Sequence, residues 1–234
     1  LFDVPTNFDA TGVLSRAYAP ENYDGVFRGP VSLRQGLAQS INIPAVKVLY
    51  LAGMENVLRN TYAFGLTTLT DPARYGLSLV LGGGEVRLAD LVQAYSVLAQ
   101  EGTKHSQAFI LEVKDSASNQ LEVYKDVNKE VIDPQYTRLT TDILSDVSAR
   151  ADLFHSSLNL TVFPGYDVAM KTGTSNDYHD AWTVGYTPSL VAGVWAGNNN
   201  NAPMQKSGSS ILAAVPIWSA FMKNAHVKRS LARA

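Results

Sequence analysis

Three strand-like runs near the C-terminus of this 234-residue chain constrain its fold more than any other feature. They read YDVAMKTGT, DAWTVGYT and SLVAGVWAGN, and short segments separate them. The turn Thr187-Pro188-Ser189 joins the last two runs and predicts a hairpin. The pattern therefore indicates an antiparallel sheet over about residues 166–200.

Helical patterns lie on both sides of this sheet in the sequence. The clearest is RLADLVQAYSVLAQEG, residues 87–102, whose apolar side chains fall on one helix face. Helical structure is predicted for about residues 31–105 and 133–155, with a closing helix at about 211–225. A further sheet part, a hairpin, is predicted over about 106–125. The sequence thus places helices first, then an antiparallel sheet, then a final helix. This order is typical of an α+β fold and not of a repeated βαβ unit.

The predicted organisation is one main domain at residues 31–225. Residues 1–30 are rich in Pro, Gly, Asn and Asp and are predicted to form an extended N-terminal segment. Residues 226–234 are predicted to be a solvated tail.

Composition and charge exclude several function classes. The net charge is −2 and the Lys and Arg residues are scattered, so no nucleic-acid partner is predicted. The chain has no cysteine, which excludes thiol catalysis, disulfides and cysteine-based metal sites. Its four histidines are at least 24 positions apart and form no metal-binding motif, so neither a metal nor a cofactor is expected. No apolar run approaches the ~20 residues of a membrane helix.

Ser40 and Asn42 are the first candidate site residues. On a continuous helix, side chains two positions apart point to opposite sides. Pro44 disfavours helical geometry at Ile43 and predicts a break there. Such a break would let both polar side chains face one cleft. The alternative is structural: Asn42 caps the second helix and Ser40 ends the first.

The stretch Lys171-Thr172-Gly173-Thr174 provides the second candidate group. Lys171 follows an apolar run on what is predicted to be a central strand, where an ammonium group is costly unless it reaches an anion or a polar site. A glycine on a strand permits close approach of another backbone or a ligand. Because Lys-Thr-Gly recurs by chance, the alternative is the polar end of an ordinary strand.

The order S-x-N and then K-T-G resembles that of the penicillin-recognising serine enzymes. Longer blocks narrow the resemblance to the transpeptidase domain of class A bifunctional penicillin-binding proteins, over about residues 3–223. These blocks are DVPTNF, YAPENYDGVFRGPVSLRQGLAQSINIPAVKVL, LVLGGGEVRLADLVQAYSVLAQEG, TDILSD and VAMKTGTSNDYHDAWTVGYTPSLVAGVWAGN. The resemblance implies a penicillin-binding/serine β-lactamase-like fold, an antiparallel sheet packed with helices, with its N-terminal part missing.

The resemblance also implies a reaction and a role for each candidate residue. In that family a serine attacks the D-Ala-D-Ala end of a peptidoglycan stem peptide, and an amine from another stem takes the acyl group. β-Lactams acylate the same serine. Ser40 would relay protons, and Asn42 would hold the peptide group of the substrate. Lys171 would supply positive potential, Thr172 and Gly173 would complete the K-T-G motif, and Thr174 would bind the substrate carboxylate and give its N–H to the oxyanion.

One part of the family's site is not found in this sequence. No serine has a lysine three positions on, so the chain has no S-x-x-K nucleophile. In the family that motif lies just upstream of the DVPTNF block. We therefore expect a C-terminal portion of the domain that is inactive alone, with its membrane anchor in an absent N-terminal part. The parent protein would act at the extracytoplasmic face of the bacterial cytoplasmic membrane, in the cell envelope.

Two other hypotheses stay open at this point. The first is a non-catalytic module of the same fold that binds stem peptides or a protein partner. The second is a complete hydrolase that uses Ser40 as nucleophile and Lys171 as base. A further expectation concerns solubility: loss of the helix that carries the nucleophile would leave an apolar groove open and favour self-association.

Overall fold

A computed structural model describes residues 1–8, 18–71, 74–205 and 208–231 of the chain. The N-terminal segment contributes strand β1 (Phe2–Asp3), which pairs antiparallel with β2 (Gly29–Pro30). Part of the predicted extended segment, residues 9–17, lies outside the described residues. The pairing holds the two described ends of this segment together beside the first helix.

Helices dominate the following part of the chain. They are α1 (Leu33–Ala38), α2 (Asn42–Ala52), α3 (Met54–Phe64) and α4 (Leu88–Ala99), with a 3-10 helix at Leu77–Leu81 before α4. A capping box between Ser32 and Gln35 starts α1. Gly65 ends α3 with φ 107°, a left-handed conformation that glycine adopts without steric cost.

Further helices flank the sheet: α5 (Pro134–Ser145), α6 (Val147–Phe154), α7 (Leu158–Thr161) and α8 (Ser210–Leu231). The predicted end of the closing helix at about residue 225 is wrong, since α8 continues through residues that were predicted to be a tail. No glycine or proline follows Pro216, so the sequence contains no residue that would stop the helix there. The last part of the predicted tail, residues 232–234, lies outside the described residues.

The predicted antiparallel sheet is present and has three strands. They are β7 (Ala169–Thr174), β8 (Asp180–Thr187) and β9 (Leu190–Gly197), in the order β7-β8-β9. The hairpin turn is confirmed, because Thr187 pairs with Leu190. The prediction of a central strand for Lys171 is wrong: within the described residues β7 pairs with β8 alone and forms an edge. The apolar run before Lys171 is buried by helices on its faces, not by a strand on each side.

The polar segment between α4 and α5 forms two small ribbons. Strands β4 (Glu112–Lys114) and β5 (Gln120–Val123) make the hairpin predicted over 106–125. This hairpin does not join the three-stranded sheet. Strands β3 (Thr103–His105) and β6 (Asn128–Glu130) pair with each other and were not predicted. Both are short and polar, so they show no alternation of apolar residues that would indicate a strand.

The sheet lies between two helical layers. On one face Met170 packs with buried residues of α8, including Trp218. On the other face Ala169 packs with Leu144 of α5 and with part of α4. Because side chains alternate along a strand, Lys171 points to the same face as Ala169, away from α8. The fold thus directs Lys171 towards the helical part that contains Ser40.

Candidate active site

The chain changes direction between α1 and α2, and Ser40 lies at this bend. Ser40 has φ 57°, in the left-handed region that costs a residue other than glycine about 1 kcal/mol or more. The N–H of Ile41 donates to the Gly36 carbonyl at 2.9 Å and closes the end of α1. The predicted break between the two helices is confirmed, but the non-helical geometry predicted for Ile43 is wrong. Ile43 is helical, and Pro44 lies in the first turn of α2, where a missing N–H costs little.

Lys171 reaches the bend from β7. Its Nζ donates to Ser40 Oγ at 2.6 Å and to the Thr172 carbonyl at 2.9 Å. The residue is partly exposed, but its ammonium group is surrounded by protein, and this desolvation lowers the pKa of Lys171 to about 8. The structure therefore brings the two candidate groups into contact, although they are 131 positions apart in the sequence.

Asn42 begins α2 but does not cap it. Its side-chain Nδ2 donates to the Glu21 carbonyl at 2.7 Å, and its backbone N–H donates to Asn22 Oδ1 at 3.0 Å. Ile41 occupies the N-cap position and makes no side-chain capping bond. The alternative in which Asn42 is the helix cap is therefore wrong. The sequence did not single out Glu21 or Asn22, since neither belongs to a motif of catalytic residues.

Thr172 and Gly173 lie on the free edge strand. They pair with Thr183 and Trp182 of β8. A Cβ atom at Gly173 would meet Trp182 Cβ at 3.7 Å, an ordinary contact, and no other neighbour within 4 Å among the described residues. Packing within the described chain therefore does not require glycine at this position. This fits the expectation that glycine leaves room for something that approaches β7.

The Thr174 hydroxyl is engaged with the start of α8. Thr174 Oγ1 donates to Ser210 Oγ at 3.1 Å and accepts the N–H of Ser210 at 3.0 Å. Ser210 is buried. The hydroxyl that is expected to bind a carboxylate thus already has a donor and an acceptor within the chain. Ser210 was not predicted as a site residue, because no sequence pattern links it to β7.

Of two cavities in the described part of the chain, the smaller one reaches two of the candidate residues. A space of only about 10 Å³ lies between Lys171, Thr172, Ala38, Arg150 and other residues, enough for about one water molecule. A cavity of about 240 Å³ also reaches Arg150, but none of the predicted site residues lines it. A ligand at the candidate site would therefore lie along the surface of β7 rather than in an enclosed pocket.

The chemical groups at the site are hydroxyls, an amide and an ammonium. Among the residues that the structure describes, no three His, Asp or Glu side chains are grouped to hold a metal ion.

In the same part of the chain, no helix has the length and apolar character needed to cross a membrane.

The order of the motifs and the α+β fold define a penicillin-binding domain. The chain belongs to the penicillin binding protein transpeptidase domain family, whose model matches residues 6–223. This confirms the family that the sequence blocks indicated.

Similar proteins narrow the kind of transpeptidase domain. Penicillin-binding protein 1A of Aquifex aeolicus is 36% identical over 206 residues, which cover 88% of this chain and 27% of that protein. The chain is thus similar to the transpeptidase domain of proteins of the 1A type, and it spans about a quarter of the length of the curated relatives that it matches.

Solved structures show the same fold. Penicillin-binding protein 1A from Haemophilus influenzae has a TM-score of 0.82 at 22% identity, over 96% of this chain and 38% of that chain. PonA1 from Mycobacterium tuberculosis, solved in complex with penicillin V, has a TM-score of 0.75 at 24% identity, over 88% of this chain and 59% of that chain. The expected penicillin-binding fold of helices and an antiparallel sheet is confirmed.

Proposed function

We propose that this chain supplies the substrate-binding and proton-relay part of a serine-type D,D-transpeptidase that cross-links peptidoglycan stem peptides. The observation that carries the proposal is the 2.6 Å contact between Lys171 Nζ and Ser40 Oγ. It joins the S-x-N and K-T-G motifs in a chain whose family is the penicillin binding protein transpeptidase domain. A hydroxyl in contact with an ammonium of lowered pKa is suited to proton transfer during acyl exchange.

Ser40 and Lys171 would move the proton in this reaction. With a pKa of about 8, Lys171 is mostly protonated at pH 7 yet releases its proton at a small free-energy cost. Its Nζ donates to Ser40 Oγ, so the Ser40 hydroxyl proton is free to point elsewhere. Ser40 can then give this proton to the leaving D-alanine while it accepts one from Lys171.

Strand β7 would bind the donor peptide. An edge strand has unpaired N–H and C=O groups, and an extended peptide can add to them as a further strand. The positive charge of Lys171 and the hydroxyls of Thr172 and Thr174 suit the terminal carboxylate, and the N–H of Thr174 is the proposed oxyanion donor. Asn42, held by the Glu21 carbonyl, would bind the peptide group of the substrate.

The acylated serine is proposed to lie outside this chain. None of its serines precedes a lysine by three positions, so the chain alone is expected to form no acyl-enzyme with a β-lactam. The parent protein is proposed to act in the cell envelope, where stem peptides and β-lactams are its ligands.

The test combines covalent labelling with peptide binding. This chain and a longer segment of the parent protein that includes an S-x-x-K motif are incubated with a fluorescent penicillin, and their intact masses are measured. We expect one adduct on the longer segment and none on this chain. An acylated peptide that ends in D-Ala-D-Ala should bind this chain in an NMR titration, and Thr174→Val should weaken the binding.

Other outcomes would contradict this proposal. No adduct on the longer segment, together with no peptide binding to this chain, would refute it. Peptide binding without an adduct on the longer segment would favour the non-catalytic binding module.

A second candidate function is favoured by the same contact. Ser40 Oγ and Lys171 Nζ lie within hydrogen-bond distance, and the pKa of Lys171 is lowered, as a Ser–Lys nucleophile–base pair requires. In that case this chain alone would gain the mass of one penicillin, the adduct would map to Ser40, and Ser40→Ala would abolish it. Labelling of this chain at Ser40 would replace the first proposal with this one.

A further inference from the structure

Helix α2 begins without a capping side chain of its own. The first N–H groups of any helix have no partner within the helix and need an acceptor from elsewhere. At the start of α2 the N-cap residue is Ile41, which has no polar side chain. Because Asn42 is the first residue of this helix, whatever accepts these N–H groups also fixes the position of Asn42.

The acceptor comes from the N-terminal segment. Asn22 Oδ1 accepts the N–H of Asn42 at 3.0 Å and the N–H of Ile43 at 3.3 Å. The neighbouring Glu21 carbonyl accepts Asn42 Nδ2 at 2.7 Å. Two consecutive residues of the segment thus hold Asn42 by its backbone and by its side chain. Asn22 is itself buried, with 6% of its surface exposed.

A buried carboxylate sets the orientation of the Asn22 amide. Asn22 Nδ2 donates to both oxygens of Asp3, at 2.8 and 3.0 Å, and to the Val26 carbonyl at 2.8 Å. Asp3 is fully buried, and the N–H of Arg28 donates to its Oδ2 at 2.9 Å. A carboxylate only accepts hydrogen bonds, so the donor end of the Asn22 amide must face Asp3. The acceptor end must then face α2.

We propose that Asn22, oriented by Asp3, is a positioning residue that fixes Asn42 and the adjoining bend at Ser40 in the geometry of the site. The proposal rests on the function proposed above for Ser40 and Asn42. It gives the N-terminal segment a role in the geometry of the site.

The first measurement needs no ligand and uses the titration of Lys171. In the wild-type chain, NMR of the Lys171 side chain should give a pKa near 8. Asn22→Ala should loosen the Ser40 bend and admit water, which raises this pKa by about 0.5 or more. The matched control is Asp133→Ala, because Asp133 caps α5 by accepting the Gln135 N–H at 2.7 Å. It removes a helix cap of the same kind and should leave the Lys171 titration unchanged.

A double exchange tests the orientation argument. With Asp3→Asn and Asn22→Asp together, the new carboxylate can accept both α2 N–H groups while the new amide donates to it. We expect the Lys171 titration to return to the wild-type value, although the Val26 carbonyl loses its donor. If Asn22→Ala does not fold, a folded double variant with the wild-type titration still supports the proposal, and a folded one with a shifted titration refutes it.

The second measurement separates this proposal from the proposed function. Affinity for an acylated D-Ala-D-Ala peptide should fall about fivefold in Asn22→Ala and less than twofold in Asp133→Ala, as loss of about 1 kcal/mol predicts. If wild type binds no peptide, the substrate-binding part of the proposed function fails while the Lys171 titration still decides the positioning role. Unchanged titration and affinity in folded Asn22→Ala would overturn the inference. Rapid exchange of the Asn42 and Ile43 amide protons in wild type would do so as well.

Discussion

Folding removes the charged ammonium group of Lys171 from water. Its ammonium donates to a hydroxyl and a carbonyl, and among the described residues no carboxylate lies within ion-pair distance of it. Desolvation without a compensating anion disfavours the charged form, which lowers the pKa. The folded chain therefore binds this proton less tightly than the unfolded chain does. The same property that suits Lys171 to proton transfer reduces the stability of the fold.

This cost predicts a pH dependence of stability. Below pH 8 Lys171 is protonated in both the folded and the unfolded chain, and the full cost of burying its charge is present. Between about pH 8 and the ordinary pKa of 10.5, the folded chain loses this proton while the unfolded chain keeps it. The free energy of unfolding therefore rises with pH over this range. Lys171→Met should abolish that rise. From pH 7 to pH 10.5, wild type should gain roughly 3 kcal/mol relative to the variant. Urea unfolding of both proteins at the two pH values measures it, and a constant difference would contradict a desolvated ammonium.

At the scale of elements, β7 and β8 use glycine for opposite reasons. Gly173 lies on the free edge strand, where an added Cβ would make one ordinary contact at 3.7 Å. Gly185 lies on the inner strand, where an added Cβ would come within 2.3 Å of Trp218 and 2.9 Å of the Ala169 carbonyl. The first glycine is open to a ligand, whereas the second is required by the packing of α8 on the sheet.

The two positions therefore predict opposite effects of the same substitution. Gly185→Ala should lower the free energy of unfolding by about 1–3 kcal/mol or more, because Trp218 has to move. Gly173→Ala should change it by less than about 1 kcal/mol and should instead weaken binding of a D-Ala-D-Ala peptide. Thermal unfolding and NMR titration of both variants provide the measurements. A strong loss of stability in Gly173→Ala would show that this glycine serves the fold alone.

The elements also show what the sequence could predict. The strand-like runs around Lys171 and the turn at Thr187 predicted the strands and the hairpin, because these signals are local. The edge position of β7 and the hydrogen bonds from Asn22 and Ser210 depend on contacts between distant segments. Such contacts leave no period or motif in the chain. The non-helical geometry predicted for Ile43 was wrong for a related reason: Pro44 is tolerated in a first helical turn, and the first N–H groups of that turn find their acceptor in the distant Asn22.

On the scale of the whole molecule, one segment, called the arm here (residues 109–123), exposes several large apolar side chains. The segment around β4 and β5 exposes Phe109 by 89%, Ile110 by 67% and Leu121 by 66%. Leu121 lies on β5, and Phe109 and Ile110 precede β4, in a ribbon that does not join the three-stranded sheet. Exposed apolar surface of this kind favours association. The sequence assigned self-association to an open apolar groove, and this segment is a different surface on which it can be tested.

Polar substitution of this arm should change association without loss of stability. Phe109→Ser with Ile110→Thr should reduce concentration-dependent self-association in sedimentation velocity, because both side chains are already in water. The free energy of unfolding should stay within about 0.5 kcal/mol. Leu139→Gln on α5, where Leu139 is 53% exposed, is the control for an apolar side chain elsewhere. If the control reduces association equally, the arm has no special part in it.

The antiparallel register places an optical reporter next to the proposed ligand strand. Trp182 pairs with Gly173 across β7 and β8, and Trp195 of β9 pairs with Trp182 in turn. Trp218, the third tryptophan of the chain, is fully buried in the opposite layer. A change in fluorescence on addition of a peptide would come from Trp182 and Trp195, near the edge strand, while the buried Trp218 contributes a constant background. The chain therefore carries an intrinsic fluorescent signal for occupancy of its own edge strand, with no dye attached.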